Sequence, residues 1–167
     1  MEARPKLKIK LSTLDKLVEV TNLIIILFVW INIIYYFSGL PEFIPLHFGF
    51  SGKANDFGSK YDIFIPASIG TLLYIGLTVL NWFPQIFYFP NPITKENVIE
   101  QYTLATRMFR VLKLSLVSIF VFVVLKTIST SLEKTNEFGI WLLPVAIALI
   151  FIPLIYFIVK LFKVGKK

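Results

Sequence analysis

The sequence predicts an all-α integral membrane protein with four transmembrane helices and both termini in the cytoplasm. Hydrophobic residues make up 56% of the 167 positions and charged residues 16%, whereas soluble domains carry about 25% charge. Residues 20–39, 63–94 and 138–159 carry no charged side chain. Each stretch is at least as long as the roughly 18 apolar residues that suggest a membrane crossing. The third observation is the position of the basic residues, which predicts the orientation.

The domain organisation that we expect is simple. Residues 1–13 form a basic cytoplasmic segment, and residues 14–167 form a single four-helix membrane domain. The predicted spans are residues 14–38, 62–83, 107–131 and 138–162, with an outer loop at 39–61 and an inner loop at 84–106. The chain has no cysteine, so the redox state of its compartment cannot be inferred.

The first two helices have recognisable ends and contact positions. Ser12 or Thr13 is a suitable N-cap, because a hydroxyl can accept a hydrogen bond from the first turn. Glu19 is expected near Lys16 at the membrane interface. Asn32 lies inside the first span and should bond to another helix, since an unpaired amide in hydrocarbon is costly. In the second helix, small residues including Gly70 and Gly76 should allow close helix packing.

The third and fourth helices need more argument. Only residues 114–125 are uncharged in the third, but Lys113 and Lys126 can extend their side chains toward the two interfaces. We expect a helix from about Val98 to Ser131 whose first three turns project into the cytoplasm, with Glu96, Glu100, Arg107 and Arg110 in water. A buried functional role for Lys126 is the alternative. In the fourth helix, Pro144 and Pro153 should each cause a bend.

The basic residues predict the orientation. Thirteen of the seventeen lysines and arginines precede the uncharged stretch of the first span, lie between those of the second and third spans, or follow that of the fourth. The positive-inside rule therefore places both termini and the inner loop in the cytoplasm. Their expected partner is a bilayer with anionic headgroups on that side, and the net charge of +7 needs no nucleic acid to explain it.

Two loops contain most of the polar residues on which a function could depend. The outer loop supplies a candidate motif of Pro41, Pro45, His47, Gly52, Asp56, Ser59 and Lys60. His47 is the only histidine, and a zinc site needs three or four ligands. A hydrogen-bonded histidine that holds the loop is therefore favoured over a metal ligand or an acid–base group. We expect no metal and no cofactor.

The inner loop supplies a second candidate motif of Pro90, Thr94, Asn97 and Tyr102. Its prolines should form a rigid connection at the membrane surface. Thr94 is a suitable N-cap for the third helix, and Glu96 would lie in the first turn, where the helix dipole favours an acid. The exposed first turns of this helix could dock a cytoplasmic partner, although a long helix without a partner is the favoured interpretation.

These two motifs resemble a bacterial membrane domain of unknown function. That domain forms the N-terminal part of the immunity proteins against sporulation-delaying toxin. The resemblance covers roughly residues 40–116 and rests on the outer-loop motif together with the stretch from Phe83-Pro84 to Lys113. It implies a multi-pass protein of a bacterial plasma membrane. The immunity proteins carry a second membrane domain, whereas one span follows the matching region here, so the resemblance implies a fold without a known reaction.

Three functions follow as hypotheses. The first is a binding, accessory or immunity-type factor that recognises a toxic peptide or a partner membrane protein through the outer loop. The second is a membrane enzyme, with or without a metal ion, that uses His47 with Asp56 and Lys60, although a non-enzymatic role is favoured. The third is a small transporter subunit, which we disfavour because the spans show no ionisable residue deep in the membrane.

Overall fold

The computed structural model describes residues 4–49, 52–133 and 141–164. Helix α1 is Thr13–Tyr36, α2 is Phe64–Leu80, α3 is Val98–Glu133 and α4 is Leu142–Lys163. Each is long and apolar enough to cross a membrane, α2 together with the short helical turn at Lys60–Ile63 that precedes it. The expectation of an all-helical protein with four potential spans is therefore confirmed by the length and composition of the helices.

Helix bounds differ from the predicted spans mainly in the second half of the chain. The helix expected from about Val98 to Ser131 is confirmed as α3, and its first turns therefore overlap the predicted inner loop 84–106. Residues 138–140, where the fourth span was expected to begin, lie outside the described residues. The predicted start of α1 is confirmed by a capping box, in which Asp15 N donates to Ser12 Oγ and Ser12 N donates to Asp15 Oδ2. This pairing satisfies two backbone donors at the helix end.

Helix α3 lies at the centre of the molecule and contacts each of the other three helices. It contributes Val117, Val121 and Val124 to the main hydrophobic core, where Val29 and Ile33 of α1 meet them. Helix α4 packs against α3 and leaves most of its surface exposed, as expected for a helix that faces lipid.

The two glycines of α2 have different environments. A Cβ added to Gly70 would lie 3.1 Å from Phe120 Cβ, so this glycine lets α2 approach α3 closely. Nothing lies within 4 Å of a Cβ added to Gly76. The expectation of a close helix contact is therefore correct for Gly70 and wrong for Gly76.

Two further expectations about polar and proline residues are wrong. The amide of Asn32 donates to Phe28 O within its own helix, 2.8 Å away, because a carbonyl one turn earlier is nearer than another helix. Pro144 lies in the first turn of α4, where its missing N–H has no intrahelical acceptor to lose. Pro153 lies inside α4, as expected.

The outer loop forms a β-hairpin, which was not predicted. Strand β1 is Phe43–Phe48 and β2 is Ala54–Ser59, and they pair antiparallel. Strand β1 packs against α3, and Ile44 is fully buried in the main core. We call this end of the bundle the hairpin end.

The opposite end is a compact layer that we call the basic end. It consists of residues 4–12, the connection 81–97, the first turns of α3 and the last turn of α4. A second hydrophobic cluster joins these segments through Phe87, Phe89, Tyr102 and Leu161. The described N-terminal residues and the end of α4 therefore lie on the same side of the bundle.

Candidate functional site

The turn of the hairpin explains one residue of the outer-loop motif. Gly52 has φ of 75°, a conformation that favours glycine. Gly52 N donates to Gly49 O at 2.8 Å, and Gly49 N donates to Lys53 O at 2.9 Å. The backbone conformation of the turn therefore explains why glycine occupies position 52.

Other motif residues hold the hairpin on the bundle. Pro45 is buried, whereas Pro41 is exposed at the entrance to β1. Ser59 Oγ accepts a hydrogen bond from Tyr61 N at 3.4 Å and so caps the helical turn that leads into α2. Lys60 N donates to Glu42 O at 2.9 Å, and its ammonium group lies 5.5 Å from the ring centroid of Phe37. These contacts join the two ends of the hairpin to each other and connect the Lys60 end to the neighbouring helical segments.

His47 and Asp56 occupy the same rung of the hairpin ladder. His47 Nδ1 lies 2.6 Å from Asn55 Oδ1, and Asp56 Oδ1 accepts from Phe57 N at 2.9 Å. Lys60 lies beyond the end of β2 and contacts Phe37 instead. The structure thus brings together two of the three residues named for an enzyme. Among the described residues, no group of three or more His, Asp or Glu side chains is placed to share a metal ion.

The hairpin also exposes apolar side chains. Phe43 is 70% exposed and Phe57 is 49% exposed, and Leu46 and Tyr61 are exposed nearby. Strand β2 is accessible along most of its length, and the sheet of the described residues has two strands. The outer edge of β2 therefore has backbone groups without a strand partner there.

The inner-loop motif organises the start of α3. Thr94 N donates to Asn97 Oδ1 at 2.9 Å, and Val98 N donates to Thr94 O at 3.0 Å. The first of these bonds is one half of a capping box, in which the Asn97 side chain accepts from the backbone of Thr94. A hydrogen bond from Thr94 also holds the pKa of Glu96 below its usual value. Asn97 Nδ2 donates in addition to Pro92 O at 2.9 Å, which fixes the preceding turn.

Tyr102 joins three segments of the basic end. Its side chain is fully buried, and its ring stacks on Phe89 with 5.5 Å between the centroids. Its hydroxyl donates to Pro5 O at 3.2 Å. Pro90 directly follows Phe89 in the sequence and is half-buried. The side-chain amide of the next residue, Asn91, donates to Leu161 O at the end of α4. The inner-loop motif thus has a packing role.

A cluster of five charged residues connects α1 and α3 at the basic end. Arg107 Nε lies 3.1 Å from Asp15 Oδ1, and Arg110 Nε lies 3.4 Å from Glu19 Oε1. Lys113 Nζ donates to the other oxygen of Glu19. We call Asp15, Glu19, Arg107, Arg110 and Lys113 the charged cluster.

Lys113 is the most enclosed member of the charged cluster. Its side chain is 0% exposed, and its ammonium group also donates to Thr78 Oγ1 of α2 at 2.8 Å. The ammonium group lies 4.9 Å from the ring centroid of Tyr74. Three helices therefore meet at one cation. Removal of one partner from such a buried pair costs much more than the pair contributes to net stability.

The charged cluster corrects three expectations. Arg110 is buried and not solvated, because α1 supplies carboxylates to it. Glu19 pairs with α3 and not with Lys16. Lys113 does not extend to the interface, and a buried ionisable residue therefore exists among the helices. The cluster lies where the uncharged stretches of α1 and α3 begin and not at their centre.

A sequence signal for the charged cluster was present. Asp15 and Glu19 are four residues apart, and Arg107, Arg110 and Lys113 are three apart. Such spacings place each set on one face of its helix. An acidic stripe on one apolar helix and a basic stripe on another predict that the two helices pair.

Comparisons with known proteins agree with a membrane domain but do not give an activity. A family described as "Domain of unknown function (DUF1648)" matches residues 23–71, which cover most of α1, the hairpin and the first part of α2. An uncharacterised protein from Archaeoglobus fulgidus is 34% identical over 77 residues, which cover 41% of this chain and 42% of that protein. The chain thus spans less than half of this relative. No solved structure matches.

Proposed function

We propose that the chain is a multi-pass plasma-membrane protein that binds an extended peptide, or an exposed segment of a partner membrane protein, through its hairpin. The observation that carries this proposal is the exposed outer strand of a firmly anchored hairpin. Strand β1 packs against α3 and a backbone hydrogen bond from Lys60 to Glu42 joins the two ends of the hairpin, whereas β2 is accessible. An exposed strand edge can receive a further strand through backbone hydrogen bonds.

Exposed aromatic side chains support the same function. Phe43 and Phe57 offer apolar area next to the free edge, and aromatic residues commonly dominate the energy of recognition. An immunity-type or accessory role, the first of the three hypotheses above, is consistent with such a surface, because a membrane-active peptide is itself apolar.

The proposal includes an orientation. The hairpin end faces the outside and the basic end faces the cytoplasm, since the sequence puts thirteen of its seventeen basic residues in the segments expected on the cytoplasmic side and the positive-inside rule applies to short loops of this kind. Anionic headgroups are then the lipid partners of the basic end.

Loss of protection in living cells tests the function. A strain of the source organism that lacks this chain is exposed to the secreted peptides of its own stationary culture. We expect increased killing that the wild-type chain reverses. The double variant Phe43→Ser, Phe57→Ser should fail to reverse it, although it reaches the membrane in equal amount. Tyr88→Ser is the matched control, because Tyr88 is 94% exposed at the basic end.

Two results would contradict the proposal. The first is that the strain without the chain survives as well as wild type and that, in addition, a photoreactive residue at position 57 forms no cross-link to an added peptide. The other is full protection by the double variant, which would show that the hairpin surface is not used.

A further inference from the structure

A cavity of about 400 Å³ opens at the basic end beside the charged cluster. The N-terminal segment, α1, α3 and the C-terminal end of α2 each contribute to its wall. The lining residues are Lys8, Ile9, Leu11, Glu19, Thr78, Asn81, Trp82 and Arg110. Its size is in the range of small-molecule binding sites, which is about 300–1,000 Å³.

Two polar side chains in the wall lack hydrogen-bond partners in the described part of the chain. The side chain of Arg110 is 7% exposed, and its Nη1 atom makes no hydrogen bond there. Nη1 lies 3.6 Å from Asp15 Oδ1, a distance that permits ionic attraction but is too long for a hydrogen bond. Both amide atoms of Asn81 are also buried and unpaired. Buried polar atoms normally have a partner, so these atoms indicate a ligand.

The charge beside the cavity identifies the ligand as an anion. The charged cluster contains three cations and two carboxylates, which leaves one positive charge in excess. Lys8 adds a second cation at the cavity wall. The carboxylate in the wall, Glu19, already has an ion-pair partner for each oxygen. A phosphodiester carries one negative charge, which would offset the excess charge of the charged cluster, and its oxygens would accept hydrogen bonds from Arg110, Asn81 and Lys8.

We propose that this cavity binds the phosphate of an anionic phospholipid. The lipid source follows from the position of the cavity, because Glu19 and Arg110 lie just before the uncharged parts of α1 and α3. Ile9, Leu11 and Trp82 supply apolar wall, and Trp82 is largely exposed, as is common for tryptophan at a membrane interface. The proposed orientation is needed only to assign the bound lipid to the cytoplasmic leaflet.

Binding of defined lipids to the purified full chain tests the proposal. The delipidated protein in detergent is mixed with phosphatidylglycerol, phosphatidylcholine or glycerol 3-phosphate. Native mass spectrometry counts the bound molecules, and the melting temperature reports stabilisation. We expect one tight phosphatidylglycerol and an increase in melting temperature that phosphatidylcholine does not produce.

Variants connect the binding to the cavity. Asn81→Leu should lose the tight lipid yet remain folded, because it removes two unpaired buried polar atoms. Asn32→Leu is its control, since that amide bonds within α1. Lys8→Gln should weaken phosphatidylglycerol binding about fivefold, the usual effect of one cation near an anionic surface. Lys6→Gln, outside the cavity wall, should have a smaller effect.

Three outcomes would overturn the proposal. Equal binding of phosphatidylcholine, in which choline offsets the charge of the phosphate, would show that the cavity does not select a lipid with net negative charge. Unchanged lipid binding by both Asn81→Leu and Lys8→Gln would show that the lipid is bound elsewhere. A response to glycerol 3-phosphate without a response to phosphatidylglycerol would assign the cavity to a soluble phosphate ester and overturn the lipid source. None of these results depends on whether the hairpin binds a peptide.

Discussion

The two ends of the bundle use their polar residues in opposite ways. At the basic end, Tyr102 and Lys113 are fully buried and bond to segments distant in sequence. At the hairpin end, His47 and Asp56 are exposed and bond within the hairpin. Buried polar networks fix the arrangement of the elements they join. The comparison assigns a structural role to the basic end and leaves the hairpin surface available to a partner.

The largest expected effect separates the two ends most clearly. Lys113→Met leaves Glu19 without its ammonium partner, so we expect a loss of about 3–5 kcal/mol in the free energy of unfolding. Denaturant unfolding in detergent measures it. Lys126→Met is the control on the same helix, where the side chain is half-buried and an effect within about 0.5 kcal/mol is expected.

A double variant sharpens this test. Lys113→Met combined with Glu19→Gln removes both charges of the pair, and stability should recover in part, because no carboxylate is left without its partner. A Lys113→Met protein as stable as wild type would contradict the description of the charged cluster as a buried network.

The second prediction concerns the helix contact between the two ends. Gly70→Val forces side-chain atoms toward Phe120, so unfolding should become easier by about 1–3 kcal/mol. Gly76→Val offers the matched control, because the space beside Gly76 is open. Thermal unfolding of the two variants side by side is sufficient. Equal effects would show that α2 does not approach α3 at Gly70.

A smaller effect is expected at the hairpin. A Cβ at Gly58 would lie 2.3 Å from Leu46 Cδ1 and 2.7 Å from Asp62 Oδ2. Both atoms are at the ends of movable side chains, so Gly58→Ala should destabilise the hairpin by about 1 kcal/mol, at the low end of overpacking effects. Hydrogen exchange should rise in residues 54–59 but not in α3. Gly49→Ala, with 3.6 Å to its nearest neighbour, should leave exchange unchanged.

The smallest effect is expected at the His47 contact. Asn55→Ala removes the hydrogen bond to His47 Nδ1, which is exposed, so its net contribution is about 0.5–1.5 kcal/mol at most. We expect faster exchange near the turn and no change in the melting temperature of the bundle. A decrease in bundle stability similar to that of Lys113→Met would remove the contrast between the ends.

The sequence predicts the helices well because their signals are local. Long uncharged stretches identify the spans, and Ser12 with Asp15 identifies the start of α1. The hairpin was missed because Ala54–Ser59 contains Asn, Asp and Gly, which usually indicate turns. In addition, Pro45 has no backbone N–H to donate to a neighbouring strand, and proline within sheets is confined mainly to edge strands. The sheet forms since β1 has Ile44 to bury against the helices.

The charged cluster was missed for a different reason. Asp15 and Arg107 are distant in sequence, and each has a simple explanation as a helix-end or solvated residue. Their pairing depends on how α1 lies against α3, and that packing is set by apolar contacts such as Ile33 with Val117 and Val124. Helix spacing shows which residues share a face but not which two faces meet.

Cysteine labelling tests the transmembrane arrangement most directly. The chain has no cysteine, so Lys53→Cys in the hairpin and Lys95→Cys at the basic end each introduce a single thiol. In intact cells, a membrane-impermeant maleimide should label the protein with Lys53→Cys, whereas the protein with Lys95→Cys should react only after the cells are permeabilised. Labelling of the second and not of the first in intact cells would contradict the proposed orientation.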